Sequence, residues 1–379
     1  MRRTLSGLLI LFMFLTLGAL AEDEEVSLWN LTGGDQEQTG ATPDPSSPTP
    51  TPTPAITPNP DGSILLTMSF TGDVTIGGDV RKSGKSIFDK ELDKQKGDLA
   101  FPFRNVKDIF AQDDMTLVNF EGTLTAAPIN SDKSGNSFLF SAPTSYVEIL
   151  TSGNIEAVSL ENNHVMDHGT AGYEETKQTL RDAGIIYSGG GELGVYTAQG
   201  VQIAMLSYQT FDQYPTLFEQ VPKDVAAAKA QYPIVIVSFH WGAELDYAPN
   251  DNQQKLGKMT IDAGADLVVG HHSHRINPIE VYKGKYICYS LGNFSFAGNT
   301  KPKDMSTYIF QTRFRVNAGL ATPEGFRIIP CRISSRGDYN DFAPTPYDNG
   351  SSIQSLLNVL KDNGKSIENP VPEYPLDWQ

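Results

Sequence analysis

Every histidine in this chain sits just beyond a short apolar run, and that placement constrains the fold more than any other feature. The six fall in three motifs, ENNHVMDHG (His164, His168), FHWGAE (His240) and GHHSH (His271, His272, His274), which follow IEAVSL, PIVIVSF and DLVVG. Apolar β-branched runs bounded by turn residues are strand signals. Neutral imidazole is the commonest protein ligand for a transition metal and the usual proton carrier near pH 7. Imidazoles delivered to several strand ends point to one metal-centred or acid/base site.

From Ser63 onward such runs alternate with helix-like stretches. Strands are expected over 64–70, 115–120, 155–160, 201–208, 234–239 and 266–269. Helices are expected over 103–110, 145–150, 169–183 (stopped by Gly184) and 252–263. The repetition predicts an α/β fold with a largely parallel sheet and crossover helices. Ligands of such sheets bind beyond the carboxyl ends of the strands. Asp73, Glu121, Asn163, His240, His272 and His274 all fall at those ends. From Ile279 the pattern turns hairpin-like (IEVY, KYICYSLGNFSF, TYIFQTRFRV, GFRIIPCRI), predicting a second sheet or an extension of the first. A closing helix is expected over 351–360, with irregular chain after it.

The first 62 residues are a different kind of polymer. Arg2 and Arg3 precede an apolar stretch from Leu8 to Leu20, and Ala19-Leu20-Ala21 is a small-x-small cleavage site, so 1–21 reads as a secretory signal peptide. No cysteine stands at the cleavage point to carry a lipid. An uncleaved signal would tether the chain to the membrane instead. Residues 22–62 are first acidic and then rich in Pro and Thr, an extended spacer unable to bury a core. The globular part is expected over 63–379, exported and displayed at the cell surface. Of the formal net charge of −16, two arginines against eight acids put −6 before Ser63, which leaves −10 for the head. An acidic head argues against nucleic acid as partner, although a bound divalent ion would invert the local field. Cys288 and Cys331 lie in strand-like contexts, where they either pair after export or stay as buried thiols.

Carboxylate, amide and imidazole donors suit divalent Mn, Fe, Zn, Co or Ni. Glu121 could bridge two ions, with Asp73 completing one sphere and Asn163 and the histidines the other. Two ions about 3.5–4 Å apart can clamp the attacking and leaving oxygens of a displacement. His164 could then protonate the leaving group. Asp167 either orients a histidine or caps a helix, and His168 is expected at solvent or at that helix start. His271 and His272 compete for one role, and His-x-His spacing favours His272 with His274. Asp73 could instead cap a Gly-rich turn, and Glu121 could sit in an ordinary turn. Trp241 and Glu244 are expected to line the pocket wall, with a base or amine-binding role also open to Glu244. TGDVTIGG matches no phosphate-binding glycine loop, and no G-x-S-x-G serine setting occurs.

The order TGDV…NFEGTL…NNHVMDHG…FHWGAE…GHHSHRINPIE…YSLGNFSF, from Leu65 to Phe296, resembles the CapA family of bacterial poly-γ-glutamate capsule synthesis proteins. These look like relatives of calcineurin-like metallophosphoesterases. The resemblance implies a calcineurin-like metallophosphoesterase fold, a four-layer α/β/β/α sandwich. It implies one or two divalent ions, Mn, Fe or Zn, held by Asp73, Glu121, Asn163, His240, His272 and His274. His164 would be the catalytic histidine. Beside the resemblance, Asp167 is taken as a candidate catalytic helper, and Trp241, Glu244 and Asn293 as candidate substrate contacts. The implied partners are an anionic envelope polymer, poly-γ-glutamate, and membrane capsule-synthesis proteins. Two departures stand out. Phosphoesterases carry Asp-x-His where this chain has Asp73-Val74-Thr75, which removes one imidazole, and Glu121 replaces an Asp. Metal-assisted hydrolysis or transfer on the polymer is the leading expectation. Its rivals are a non-catalytic polymer-binding role in an export complex and a surface phosphatase or phosphodiesterase.

Overall fold

The computed structural model describes residues 59–131, 133, 137–210 and 214–378. The expected signal peptide and all but the last few spacer residues lie outside that range. Among the described residues no helix is long and apolar enough to cross a membrane.

The chain begins with β1 (Ile64–Thr75), β2 (Gly78–Asp79), α1 (Ile87–Lys94), α2 (Lys107–Phe110), β3 (Met115–Phe120) and β4 (Phe140–Ser141). It continues through α3 (Val147–Ser152), β5 (Ala157–Ser159), α4 (Gly169–Asp182), β6 (Ile186–Ser188), β7 (Gly194–Ala198) and β8 (Val201–Gln209). Next come α5 (Tyr214–Lys229), β9 (Ile234–His240), α6 (Asp251–Asp262), β10 (Leu267–His271), β11 (Ile279–Tyr282) and β12 (Lys285–Cys288). The last elements are β13 (Asn293–Phe296), β14 (Ser306–Asn317), β15 (Leu320–Arg332), β16 (Thr345–Pro346) and α7 (Gly350–Asn363).

Two sheets stack face to face. One runs β16-β15-β14-β1-β3-β5-β6, with β13 also pairing β1, and the other runs β11-β12-β10-β9-β8-β7. β1, β3, β5 and β6 are mutually parallel, as are β8, β9, β10 and β12. Alternation along each strand divides its side chains between two cores. Leu66, Met68, Phe70, Met115 and Leu117 meet Ile203, Met205, Ile234, Ile236 and Val269 between the sheets. Val118, Phe120 and Val158 face outward onto α1 to α4 through Phe88, Phe110, Ile149 and Leu180. Val235, Val237 and Val268 face outward onto Val221 and Val225 of α5 and Leu256 and Ile261 of α6. Burial on both faces explains why these strands read as continuous apolar runs. The result is the expected four-layer α/β/β/α sandwich.

Several local expectations change. The helix expected over 103–110 is a 3-10 turn, Phe101–Phe103, followed by the single turn of α2. Apolar spacing did not announce α5, which contains Pro222, a residue that removes an intrahelical hydrogen bond. Packing of Val221, Val225 and Ala228 on the second sheet holds that helix despite the proline. The late hairpin-like segments divide between the sheets: β11 and β12 join the second, and β13 to β16 join the first. Cys288 and Cys331 are free buried thiols, one between the sheets and the other in the outer core beside α1 to α4. Of the two alternatives, the unpaired one holds.

The amino ends of β3 and β5 carry acids used structurally. Thr116 donates its backbone N–H to Glu156 Oε2 at 2.8 Å and its hydroxyl to Asp113 Oδ2 at 2.9 Å. Burial pushes both carboxyls up to about 7, with Glu156 adding to the rise at Asp113. Each therefore binds its proton more tightly folded than unfolded. Their contribution favours folding at pH below the ordinary carboxylate values and is lost as pH rises through about 7. Stability measured by denaturant titration should fall between about pH 5 and about pH 8. Glu156→Gln, which keeps the acceptor for Thr116, should flatten that fall.

Candidate metal centre

Three chain segments at the carboxyl ends of parallel strands meet at one point. Asp73 comes from β1, Glu121 follows β3 and His274 follows β10, and one donor atom of each lies within 4.8 Å of the others. Gly72 makes the first approach possible. A Cβ there would lie 1.9 Å from the Gly292 carbonyl oxygen, and without it the Asp73 N–H donates to that oxygen at 2.9 Å. The register of β1 on β3 shifts between Phe70 and Asp73 at this contact.

Asp73 and Glu121 are fully buried. Asn119 Nδ2 donates to Asp73 Oδ1 at 2.8 Å and lies 3.4 Å from His240 Nδ1. His274 Nδ1 is 3.1 Å from Asp73 Oδ2, while its hydrogen-bond geometry is satisfied at Asn293 Oδ1, 2.8 Å away. Neither Glu121 oxygen has a hydrogen-bond partner among the described residues; Oε1 lies 3.7 Å from His164 Nε2. A second group adjoins the first. His240 Nε2 is 2.9 Å from Asn163 Oδ1, and the His240 and His272 rings are 4.5 Å apart. His272 and His274 have positive φ, +91° and +53°, so the backbone turns sharply twice as it delivers their rings.

Beside Glu121, His164 is held from behind. Its Nδ1 lies 2.7 Å from Asp167 Oδ2, which also accepts the Phe140 N–H at 2.7 Å. Lys133 Nζ lies 2.7 Å from Asp167 Oδ1 and 3.0 Å from His164 Nδ1. With Nδ1 anchored, Nε2 faces the centre. Asn162 supports the same turn, donating to Phe120 O at 2.8 Å and accepting the His164 N–H at 3.1 Å.

Environment divides the imidazoles. Burial, reinforced by neighbouring imidazoles, holds His240 well below its ordinary value and brings His272 down to about 4. Burial alone brings His271 to about 4 against the pull of Asp73. Burial also lowers His164, despite Asp167. For His274, burial is outweighed by Asp73, Glu121 and Glu244, and it rises to about 9. Burial and the charge of Asp73 push Glu121 up to about 8. Asp73 stays low because His274, His271 and Asn119 outweigh its burial. The protein thus keeps a proton on the centre. A divalent cation would displace it, since ligands bind metal deprotonated.

The donor set fits such a cation on the structure's own terms. Glu121 Oε1 and Oε2, Asp73 Oδ2 and both ring nitrogens of His271 are buried without hydrogen-bond partners among the described residues. Buried charges are normally paired or bound to metal.

Of the expected site residues, Asp73, Glu121, Asn163, His164, Asp167, His240, His272 and His274 converge. Asn293 belongs to the centre through His274, so its carbonyl oxygen is engaged internally. Glu244 is exposed at the rim, close enough to raise Glu121 and His274. Trp241 is a correction. It is fully buried in the outer core, stacked on Phe239 with rings 4.5 Å apart, and Nε1 donates to Tyr289 O at 2.9 Å. Alternation after His240 turns it away from the centre. His168 starts α4 and is buried, its Nδ1 2.7 Å from Ala127 O. Asn119, Asn162 and Lys133 were not anticipated, and His271 was expected only as the less favoured alternative to His272. Asn119 had a usable signal, two residues before Glu121 at the same strand end. Lys133 had none, because its loop reaches the site only in three dimensions.

Fold and site together define a four-layer α/β/β/α protein with a carboxylate–imidazole centre at its parallel strand ends. The chain belongs to the family described as bacterial capsule synthesis protein PGA_cap, whose model matches residues 67–297. It is 34% identical to the PGA biosynthesis protein CapA of Bacillus subtilis over 63% of this chain and 66% of that protein. It is 30% identical to the capsule biosynthesis protein CapA of Bacillus anthracis over 65% of this chain and 64% of that one. The match therefore spans just under two thirds of each relative. Among solved structures, the calcineurin-like phosphoesterase YfkN of Bacillus subtilis is loosely similar, at 14% identity and TM-score 0.41 over 79% of this chain and 99% of that one.

Trp241→Ala should cost about 3–5 kcal/mol of folding stability in denaturant titration. Because Trp241 faces the core, any divalent-cation uptake by the folded fraction should equal that of the parent.

Proposed function

We propose that this chain is an exported, surface-displayed accessory protein for the synthesis, export or anchoring of poly-γ-glutamate or a similar anionic envelope polymer, working through a divalent-cation centre. The observation that carries the chemical part is the convergence of Asp73, Glu121 and His274 with carboxylate oxygens that have no hydrogen-bond partner among the described residues. Membership of the PGA_cap family and the names of the CapA relatives support the polymer. The basic and apolar first 21 residues, followed by a Pro/Thr-rich spacer, support export.

Asp73, Glu121 and His274 would hold one ion, and Asn163, His240 and His272, with Glu121 between, would hold a second. Bound there, the cation would polarise the bond under attack and lower the pKa of a water. Asn119 fixes Asp73 and Asn293 fixes His274, so both donors keep their aim without reorganising. His164, locked through Nδ1 to Asp167, presents Nε2 toward Glu121 and can pass a proton to or from a group bound there. Glu244 adds negative charge at the rim, which favours entry of the cation. Thr75, where metallophosphoesterases carry an imidazole, favours a second reading in which the ion only grips polymer carboxylates.

Elemental analysis of the purified exported chain should find Mn, Fe or Zn, and Asp73→Ala and Glu121→Ala should each remove most of it. His164→Ala should keep the metal and lose turnover of poly-γ-glutamate by about 100-fold or more. If His164→Ala leaves capsule yield unchanged while Asp73→Ala abolishes it, the binding reading replaces the catalytic one. Unaltered metal content in both carboxylate variants would end the proposal.

A further inference from the structure

We infer that His271 is a cation ligand on the Asp73 side of the centre, supplying the imidazole that Asp73-Val74-Thr75 lacks. This rests on the proposed reading of the centre as a cation site. His271 is the last residue of β10 and the register partner of His240, so the two rings leave adjacent parallel strands on the same side. Its ring is fully buried, Nδ1 is 3.6 Å from Asp73 Oδ1, and neither ring nitrogen has a hydrogen-bond partner among the described residues.

A packing histidine would not be left this way. His168 offers the contrast: it is also buried, but its Nδ1 lies 2.7 Å from a carbonyl oxygen and only Nε2 has no partner among the described residues, whereas both His271 nitrogens lack one. The backbone that presents His271 is fixed from its other face. A Cβ on Gly270 would lie 2.1 Å from Tyr289 O and 2.4 Å from Trp241 Nε1, so the strand end is packed tightly just before the histidine. The His271 carbonyl accepts the Trp241 N–H at 3.4 Å, which ties it to the neighbouring strand. Thr75, two residues after Asp73 and so on its face of β1, has a buried hydroxyl without a partner among the described residues. The position that could have carried an imidazole carries a short side chain, and an imidazole arrives beside Asp73 from the opposite sheet. Unpartnered polar atoms cost stability in the cation-free protein and would recover it on coordination.

The test uses the full exported chain, stripped of metal and titrated with Co²⁺. His271→Leu removes both unpartnered nitrogens. Its cation-free form should therefore melt at or above the wild-type temperature, whereas its rise in Tm on adding Co²⁺ should be smaller. Its Co²⁺ affinity should fall by at least about tenfold, with a changed Co²⁺ absorption spectrum reporting the lost nitrogen donor. If His271→Leu does not fold by circular dichroism, His271→Ala, which also leaves no donor, replaces it with the same expected loss. A variant that matches wild type in Co²⁺ affinity and spectrum overturns the assignment and leaves the cation centre standing on Asp73, Glu121 and His274. A wild-type chain that takes up no Co²⁺ overturns both.

Discussion

Two carboxylates stripped of water at the ends of neighbouring parallel strands set the problem that the rest of this structure answers. Asp73 and Glu121 have no exposed surface, and burying like charges together is costly unless donors or a cation compensate. Asp73 has its compensation in Asn119 and His274, whereas Glu121 has no donor among the described residues and is driven toward its protonated form. Such an arrangement is tolerable only because rigid elements impose it. Apolar cores on both faces of each sheet hold the strands, and the strands fix where their ends project.

Imidazole takes different roles around these carboxylates because each ring meets a different field. His274 lies between two acids and is held protonated; His240 and His272 crowd one another and stay neutral. His164 is braced by Asp167 and Lys133 on the side away from the centre. His168, only four residues further, spends its ring on a backbone carbonyl at the start of α4. Residue type alone would group all six, and only position separates a donor from a packing group.

In the proposed function the cation also resolves an electrostatic conflict. The head carries a net charge of −10, and an anionic polymer would be repelled by such a surface unless positive charge is concentrated at the point of contact. A divalent ion set between Asp73 and Glu121 would invert the field there without altering the rest of the head.

Much of this was legible in the chain itself. Apolar β-branched runs marked the parallel strands, and the polar residues after them marked the face on which a centre would form, because alternation and strand polarity are local properties. The same local rules misjudged Trp241, whose neighbour His240 points into the centre while it points into the outer core. They missed α5, where packing outweighs the cost of Pro222, and they left Cys288 and Cys331 undecided until the cores separated them. They also favoured His272 over His271, since spacing along the chain carries no information about which ring lies next to Asp73. That was decided by two sheets meeting face to face: side-chain direction is set within a strand, but proximity between strands is set by how the layers pack.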